Sequence, residues 1–492
     1  MKIKTMLRAA SLLTAALVSA VPLSACLSKP DTADTGTVYE YEETAPVTDS
    51  LGARREVEDG LPSYDLQGAS LRAIVQDSCA YDFWIETETG DALDDSIYYR
   101  NRAVEERFNV DIADPQVESY SDISTVVRGS VNAGDDEFDL VLGQMEMTGA
   151  DALNGIYLNW YEIPHLNFSQ PWYPKSIIDN AATVNNRMFS LMSDMLLSYA
   201  QQTWSIVFDK ADADAYNLPD IYGLVRSGAW TLDKLTEITK DIYADLDGNN
   251  AAGEDDYYGF VSGMNGCLLL SFFYAADQHL VEITDDYEIE HVINSEKAVA
   301  LVGKLRKLHF GSPGSLSVSD SSNAGIYNKF IQRRALFCPI ELQYTYAHLR
   351  DYENDYGMVP FPKYDEAQAE YYATCDAGSN VISIPMTADD YDLIGICVEA
   401  LSSYGWKEVL PVYYDICLDV KSARDEESIE MLDMILDNRY VDFASLYNGW
   451  NGWVFSLPQF VSDDGEFSST YESLVKVKTK YYESILTVFL ED

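Results

Sequence analysis

One short segment of this sequence places oxygen-bearing groups at the spacing that a calcium ion requires. The groups, counted from the first position of a twelve-residue loop, are Asp245, Asp247, Asn249, the carbonyl of Ala251 and Asp256. Ca²⁺ takes roughly six to eight oxygen ligands, and EF-hand loops supply them at this spacing. Glycine is fourth instead of sixth, and the closing residue is Asp where Glu is usual. The loop predicts a structural calcium site, with a solvated acidic turn as the alternative.

A second residue with a chemical role is Cys26, which ends the segment Leu23-Ser24-Ala25-Cys26. A basic start and an apolar run from Ala9 to Leu23 precede it, which is typical of a secretory signal too short to span a bilayer comfortably. The four residues resemble the lipobox of bacterial lipoproteins, whose cysteine sulfur takes a diacylglyceryl group. We expect residues 1–25 to be a lipoprotein signal peptide and Cys26 the lipid anchor. An ordinary cleaved signal with a chance cysteine is the alternative.

Composition excludes several classes of function. The 492 residues contain 81 acidic and 33 basic side chains, a net charge of −48, which repels polyphosphate and argues against nucleic-acid binding. Five histidines without an HExxH motif leave little for histidine-based zinc chemistry. Six cysteines remain beyond Cys26, none in a CxxC motif, and buried free thiols are favoured over a disulfide framework.

The periodicity of apolar residues indicates an α/β body behind a stalk. Residues 26–65 are rich in Thr, Asp, Glu and Pro and predict a flexible linker. Apolar strand candidates recur at 71–75, 138–142, 204–209 and 334–340, with helical patterns between them, which predicts mainly parallel sheets. Thr231 is expected to cap a helix that leads into the acidic loop.

Five segments resemble the extracellular solute-binding lipoproteins of carbohydrate-type ABC importers (family 1 type), in their order and spacing along the chain. They are DDSIYYRNRAVEERFNVDI (94–112), AGDDEFDLVL (133–142), TLDKLTEITKDIYADLDGNN (231–250), YGMVPFPKYDEAQAEYY (356–372) and KSARDEESIEMLDMI (421–435). Loops similar to 245–256 bind structural calcium in some members of that group.

The resemblance implies a two-lobed, periplasmic-binding-protein-like (type II) α/β fold with a hinge and an interlobe ligand cleft. Lobe 1 is expected to comprise 66–197 and 358–405, and lobe 2 to comprise 198–357 and 406–492. It further implies a monomer on the extracytoplasmic face of the cell membrane, held by its lipid, that delivers a solute to ABC permease subunits and makes or breaks no bond.

Candidate ligand residues follow from position alone, because ligands of open α/β sheets lie beyond the carboxyl ends of strands. These residues are Asp82, Trp84, Gln144, Trp204, Glu341, Tyr344, Trp450 and Trp453. Aromatic faces stack on sugar rings while carboxylates and amides bind hydroxyls, so an oligosaccharide is expected. Core packing is the alternative for each aromatic residue. A cell-surface glycoside hydrolase, or a sensor or adhesin with the same fold, are alternatives for the whole protein.

Overall fold

The computed structural model describes residues 50–350, 352–419, 426–462 and 465–490. Its strands are β1 (Ala69–Leu71), β2 (Ala73–Gln76), β3 (Val110–Ile112), β4 (Gln116–Glu118), β5 (Leu140–Gln144), β6 (Trp204–Asp209), β7 (Tyr243–Ala244), β8 (Tyr257–Ser262), β9 (Glu282–Ile283), β10 (Ile289–Glu290), β11 (Ser315–Ser317), β12 (Ala335–Glu341), β13 (Tyr356–Val359) and β14 (Asn380–Ser383).

The helices are α1 (Ser50–Arg55), α2 (Ala92–Phe108), α3 (Ile123–Ala133), α4 (Met145–Ala150), α5 (Lys175–Ile177), α6 (Leu197–Gln201), α7 (Lys210–Ala215), α8 (Ile221–Arg226), α9 (Leu232–Thr239), α10 (Gly266–Ala275), α11 (Glu296–Phe310), α12 (Asn323–Ile331), α13 (Leu342–His348), α14 (Tyr391–Tyr404), α15 (Leu410–Asp419), α16 (Glu426–Asp437), α17 (Phe443–Leu446), α18 (Leu457–Val461) and α19 (Phe467–Leu490). No described helix combines the length and apolar character needed to cross a bilayer.

Two sheets organise the body. The first has the strand order β14-β5-β2-β4, and the second has the order β11-β8-β12-β6-β13 with β7 beside β8. All strands of the second sheet, including the short strands β7 and β11, come from residues 204–359. The first sheet combines three strands that precede residue 145 with β14 from later in the chain. The chain therefore passes between the sheets near α6 and again between β13 and β14.

The sheets are mixed, which corrects the expectation of mainly parallel pairing. β2 pairs parallel with β4 and β5, and β8 pairs parallel with β11 and β12. β14 runs antiparallel to β5, and β6 runs antiparallel to both β12 and β13. Continuous apolar runs indicate that both faces of a strand are covered, but they carry no information about its direction. The strands beside the two passages between sheets are the reversed ones.

Local signals place the main elements. The Asp91 carboxylate accepts hydrogen bonds from the backbone N–H groups of Leu93 and Asp94 and so caps α2, which ends at Asn109 with φ 50°. Thr231 caps α9 as expected, through a 3.2 Å bond from the Lys234 N–H. The strands β6 and β12 are buried along their whole length.

Residues 50–65, assigned above to a flexible linker, pack onto the body. Arg107 donates to both carboxylate oxygens of Asp59, one at 3.0 Å, and to the carbonyl of Leu61 at 3.0 Å. Arg54 lies over the Trp406 ring, 5.0 Å from its centroid. A polar composition predicted disorder, but specific pairing to Arg107 and Trp406 supplies the contacts that the composition lacks. Residues 26–49 and the signal segment lie outside the described residues.

Candidate functional site

One loop, which contains Asp376 and precedes β14, lies close to three strand ends. These are the last residues of β5 and β12 and the first residue of β6. Glu341, the last residue of β12, is in register with Trp204, the first of β6. Gln144, the last residue of β5, is in register with Asn380 at the start of β14. The Trp204 indole N–H donates to a carboxylate oxygen of Asp376, 3.3 Å away, just before β14. Segments far apart in sequence therefore meet at one place.

Three carboxylates lie at this meeting point, and we call Glu146, Glu341 and Asp376 the acidic cluster. Glu146 is 4% exposed and accepts a 2.9 Å bond from the Asn448 side chain. Glu341 is 1% exposed and accepts hydrogen bonds from the side chains of Asn323 and Gln343, the latter at 2.5 Å. Each carboxylate is thus bound by neutral donors.

The electrostatics of the acidic cluster show how closely its members approach. Burial, and then the charge of Asp376, raises the pKa of Glu146 to about 8. The same two causes, in the same order, raise the pKa of Glu341 well above its ordinary value. Burial, followed by the charges of all three acids, raises the pKa of the Cys267 thiol. Desolvation disfavours each charged form, and like charges add to that penalty.

Amide and aromatic side chains surround the acidic cluster. The Gln144 Nε2 atom and an Asp376 carboxylate oxygen both lie within 4.0 Å of the position that a Cβ on Gly378 would occupy. The Oε1 atom of Gln144 is buried and has no hydrogen-bond partner among the described residues. The tilted rings of Tyr344 and Tyr327 have centroids 4.5 Å apart, with an angle of 31° between their planes. Burial, followed by the Glu341 charge, raises the pKa of the Tyr344 phenol. The site combines acceptors with aromatic faces.

Two of the sequence-predicted residues have internal roles. The Asp82 carboxylate accepts 2.7 Å and 2.9 Å bonds from the Ser198 N–H and the Asn380 side chain, and a further bond from the Ser198 hydroxyl. The Trp453 indole N–H donates to His291 at 3.0 Å, and the Trp453 ring is fully buried. These side chains hold elements together, so we leave both out of the site proposed below.

Trp84 and Trp450 are the remaining predicted aromatic residues. Trp84 is partly buried against the core beside the short helical turn that ends at Asp82. Trp450 is 69% exposed and stacks on Phe455, with ring centroids 5.4 Å apart. The residue before it, Gly449, donates its N–H to the Glu146 carbonyl at 2.8 Å. Trp450 thus lies on a loop tied to the helix that carries Glu146.

Sequence reasoning missed Glu146, Asp376 and Asn323. Glu146 is two residues beyond Gln144 and was within reach of the strand-end argument. Asp376 precedes a strand rather than following one, and Asn323 begins α12. The sequence around Asp376 and the sequence around Asn323 contain no feature that separates these residues from the other polar residues near helix and strand ends.

The acidic loop brings its carboxylates together. One carboxylate oxygen from each of Asp245, Asp247 and Asp256 lies within 4.8 Å of the other two. The two oxygens of Asp245 accept N–H bonds from Gly248 at 2.6 Å and Asn250 at 2.9 Å, which fold the loop around the side chain. Oxygen donors of this kind suit a hard cation such as Ca²⁺. The site lies at the edge of the second sheet, beside β7 and β8.

All six cysteines within the described residues are free thiols, which confirms the expectation from their spacing. They are Cys79, Cys267, Cys338, Cys375, Cys397 and Cys417. Burial raises the pKa of each of them and keeps the thiol protonated.

No protein-family model and no curated protein sequence matches the chain. Among solved structures, it is similar to a cyclic alpha-maltosyl-1,6-maltose binding protein from Arthrobacter globiformis, with a TM-score of 0.56 and 10% identity over 84% of this chain and 99% of that one. It is also similar to UspC of Mycobacterium tuberculosis, with a TM-score of 0.55 and 11% identity over 84% and 100%.

A third similar structure is the ABC substrate-binding protein Lmo0181 from Listeria monocytogenes, solved in complex with cycloalternan. Its TM-score is 0.52 and its identity 11%, over 84% of this chain and 99% of that one. At this level of identity the likeness establishes the fold. The chain has the two-lobed α/β fold of ABC substrate-binding proteins, which confirms the expected fold class.

Proposed function

We propose that this protein captures a solute, most simply an oligosaccharide, between two lobes and delivers it to the permease of an ABC importer. The observation that supports this proposal is the acidic cluster, where strand ends from both sheets bring together carboxylates, the Trp204 indole and the Gln144 amide oxygen, which has no partner in the described part of the chain. The lobes are those expected above, 66–197 with 358–405 and 198–357 with 406–492. Ligand that contacts both lobes favours the closed form, and no bond is made or broken.

The side chains at the cluster favour a polyhydroxylated ligand. Carboxylate and amide oxygens accept hydrogen bonds from hydroxyl groups, and the partly buried ring of Tyr344 offers an apolar face for a sugar ring. Trp204 is 1% exposed and contributes through its indole N–H, which holds the Asp376 carboxylate. Trp450 adds an exposed ring on the loop that is bonded to the Glu146 backbone. Gln144, Trp204, Glu341 and Tyr344 are therefore the ligand-binding residues that we retain from the sequence, with Trp450 as an outer contact.

Thermal unfolding of the purified protein against a panel of oligosaccharides tests this function. A ligand at about 100 times its dissociation constant adds ~2.7 kcal/mol of stability, a shift of a few degrees for a chain of this size. A shift with one glycan class, and intact glycan recovered afterwards, supports a binding protein. Recovery of cleaved glycan instead supports the hydrolase, and no shift across the panel contradicts the proposal.

Trp450 offers a clean substitution because it is largely exposed. Trp450→Ala is expected to weaken glycan binding by roughly tenfold through lost stacking, without moving the melting temperature. The matched control is Tyr161→Ala, which removes another exposed ring, 43% accessible, from a site outside the cluster. Equal glycan affinity of the Trp450 variant and the native protein would remove Trp450 from the site.

The acidic loop is proposed to bind one structural Ca²⁺ through Asp245, Asp247, Asn249, Ala251 and Asp256. Chelation is expected to lower the melting temperature, and added Ca²⁺ to restore it, because an ion that binds only the folded state stabilises it. Asp247→Asn should abolish the calcium response, whereas Asp241→Asn, an exposed acid before the loop, should leave it intact. A melting temperature that ignores both chelator and ion would contradict the site.

The anchoring proposal concerns Cys26, which lies outside the described residues. A diacylglyceryl group on its sulfur would hold the protein on the extracytoplasmic face of the cell membrane, close to its permease. Cys26→Ser is expected to move the protein from the membrane fraction to the soluble fraction. Retention of the variant in the membrane fraction would show that something else anchors it.

A further inference from the structure

A surface cavity of about 350 Å³ lies at the edge of the second sheet, where β7 pairs with β8. Its volume is near the lower end of the range, roughly 300–1,000 Å³, that small-molecule sites in proteins occupy. Its walls come from α7 and the residue after it, β7, the acidic loop, β8 and the turn after α12. We call it the edge pocket, and it is lined by Asp212, Tyr216, Ala244, Leu246, Tyr257 and Arg333.

The pairing of β7 with β8 explains the hollow. Ala244 is directly opposite Tyr257 in the antiparallel pair, so the two side chains lie on the same face. The Leu246 N–H donates to the Asp256 carboxylate at 3.0 Å and thereby fixes the start of the acidic loop beside β8. The methyl group of Ala244 is the smallest of the six lining side chains, and it leaves space between the larger side chains of Tyr257 and Leu246.

The edge pocket has exposed apolar surface in a fixed geometry. Tyr216 is 42% exposed and Leu246 is 56% exposed. The ring planes of Tyr216 and Tyr257 are nearly parallel, at 14°, with centroids 6.2 Å apart. The Tyr257 hydroxyl donates to the Asp212 carboxylate at 2.7 Å, which holds the buried Tyr257 ring in place. The exposed ring of Tyr216 therefore lies against a fixed neighbour.

Polar groups of both kinds border the same pocket. Asp212 supplies carboxylate oxygens, and Arg333 supplies a guanidinium with five N–H donors, one of which binds Glu353 at 3.0 Å. Arg333 has φ 57° and occupies the position after the end of α12 that glycine adopts most easily. Although desolvation opposes the shift, the bond to Glu353 and the charges of Asp209 and Asp212 raise the pKa of Arg333. These acids balance the guanidinium charge, so the pocket offers donors and acceptors without a net attraction for anions.

The edge pocket and the acidic cluster lie at opposite ends of the strands of the second sheet. Arg333 comes two residues before β12, whose first residue, Ala335, is in register with Tyr258 at the start of β8. Glu341 of the acidic cluster is the last residue of this seven-residue strand. At about 3.3 Å per residue, the two ends of β12 are roughly 20 Å apart. The edge pocket is therefore a separate site.

We propose that the edge pocket is a second binding site, which takes a short neutral saccharide such as the end of a glycan chain. One face of a sugar ring would stack on Tyr216, and its hydroxyls would bond to Asp212 and Arg333. A purely apolar ligand would leave Asp212 and Arg333 without new partners, and an anion would meet the carboxylates of Asp212 and Glu353. This inference goes beyond the proposed function, because binding here requires neither closure of the lobes nor contact with the acidic cluster.

The methyl groups of Leu246 offer a signal that reports on the edge pocket. In native protein with isotope-labelled leucine methyl groups, the NMR signal of Leu246 is assigned by its loss in Leu246→Ile. The probes are maltose, cellobiose and N,N′-diacetylchitobiose. We expect the Leu246 signal to shift in a saturable way with at least one of them. If none of the three disaccharides moves this signal, the inference is overturned.

Substitutions locate the saccharide within the pocket. Tyr216→Ala removes the stacking ring and Ala244→Leu fills the hollow, and each is expected to weaken binding at least tenfold in the Leu246 titration. The matched control, Tyr120→Ala, removes a ring that is 44% exposed outside the pocket and should leave the midpoint unchanged. Melting temperatures verify that every variant folds. An unchanged midpoint in both Tyr216→Ala and Ala244→Leu assigns the shift to another site and overturns the inference.

The edge pocket and the proposed function are tested separately. Trp450→Ala should leave the Leu246 midpoint unchanged, because Trp450 lies on the loop that is bonded to the Glu146 backbone. If Trp450→Ala weakens the titration as strongly as Tyr216→Ala does, the signal follows the interlobe ligand and the inference is overturned. The glycan panel and the melting temperatures described above decide the proposed function, whatever the Leu246 signal shows.

Discussion

His309 provides a quantitative test of how tightly the core of the second lobe is closed. It lies in α11, is 1% exposed, and neither of its ring nitrogens has a hydrogen-bond partner among the described residues. The rings of Phe260 and Phe272 meet it edge-on, with centroids 6.0 and 5.9 Å away. Burial lowers the pKa of His309 from 6.5 to about 4. The folded protein therefore holds the imidazole neutral.

The sign of the pH effect follows from this lowered pKa. The unfolded chain binds a proton below about pH 6.5, while the folded chain does so only near pH 4, so stability is lost as the pH falls through that window. With these two pKa values, His309 removes about 2.5 kcal/mol of stability between pH 7.5 and pH 4.5. His309→Phe removes the titrating group and keeps a ring of similar shape.

Urea unfolding followed by tryptophan fluorescence measures the effect at both pH values. His309→Phe is expected to change stability by less than about 1.5 kcal/mol at pH 7.5. The free energy of unfolding of His309→Phe, relative to that of the native protein, should be about 2.5 kcal/mol higher at pH 4.5 than at pH 7.5. Phe272→Leu, which alters the same packing without a titratable group, should shift stability equally at both pH values. If the difference in free energy of unfolding between His309→Phe and the native protein is the same at both pH values, the conclusion that His309 is closed off from solvent by aromatic rings is refuted.

Three other expectations follow from single contacts. Arg107→Met leaves Asp59 without its partner and should cost about 1–2 kcal/mol, a value reduced for partial solvent screening, and should open residues 50–63 to protease. Gly395→Ala places a Cβ 1.9 Å from the Pro164 carbonyl oxygen and should cost about 2–3 kcal/mol in urea unfolding, with an ordinary cost below 1 kcal/mol contradicting the contact. The Cys338 thiol, fully buried with a raised pKa, should react with a thiol reagent only in denaturant, and rapid labelling of the native protein would contradict its burial.

The elements that sequence predicted well are those fixed by neighbours along the chain. The run 204–209 is β6 to the residue, and α2 lies between the strand candidates 71–75 and 138–142, where a helical pattern was expected, with its apolar residues facing the core. Thr231 caps α9 because its hydroxyl reaches an N–H three residues away. In each case, the cause lies within a few residues of the effect, so one sequence contains all the information required.

Features decided by distant contacts were beyond the sequence. The direction of β6 depends on β12 and β13, more than a hundred residues further along. The order in 50–65 depends on Arg107 in α2 and on Trp406 near the end of α14. Composition described this segment correctly as polar, but it contains no sign of contacts to residues that lie up to about 350 positions further along the chain.

The acidic cluster is the extreme case of this limit. Glu146, Glu341 and Asp376 are three of 81 acids, separated by up to 230 residues, and only Glu341 was selected from its position at a strand end. What marks them is that the folded chain places them together where the two sheets meet, so that burial and the charge of Asp376 raise the pKa of both Glu146 and Glu341. The fold brings these three acids together at the place where its two sheets meet, and no single segment of the sequence contains that arrangement.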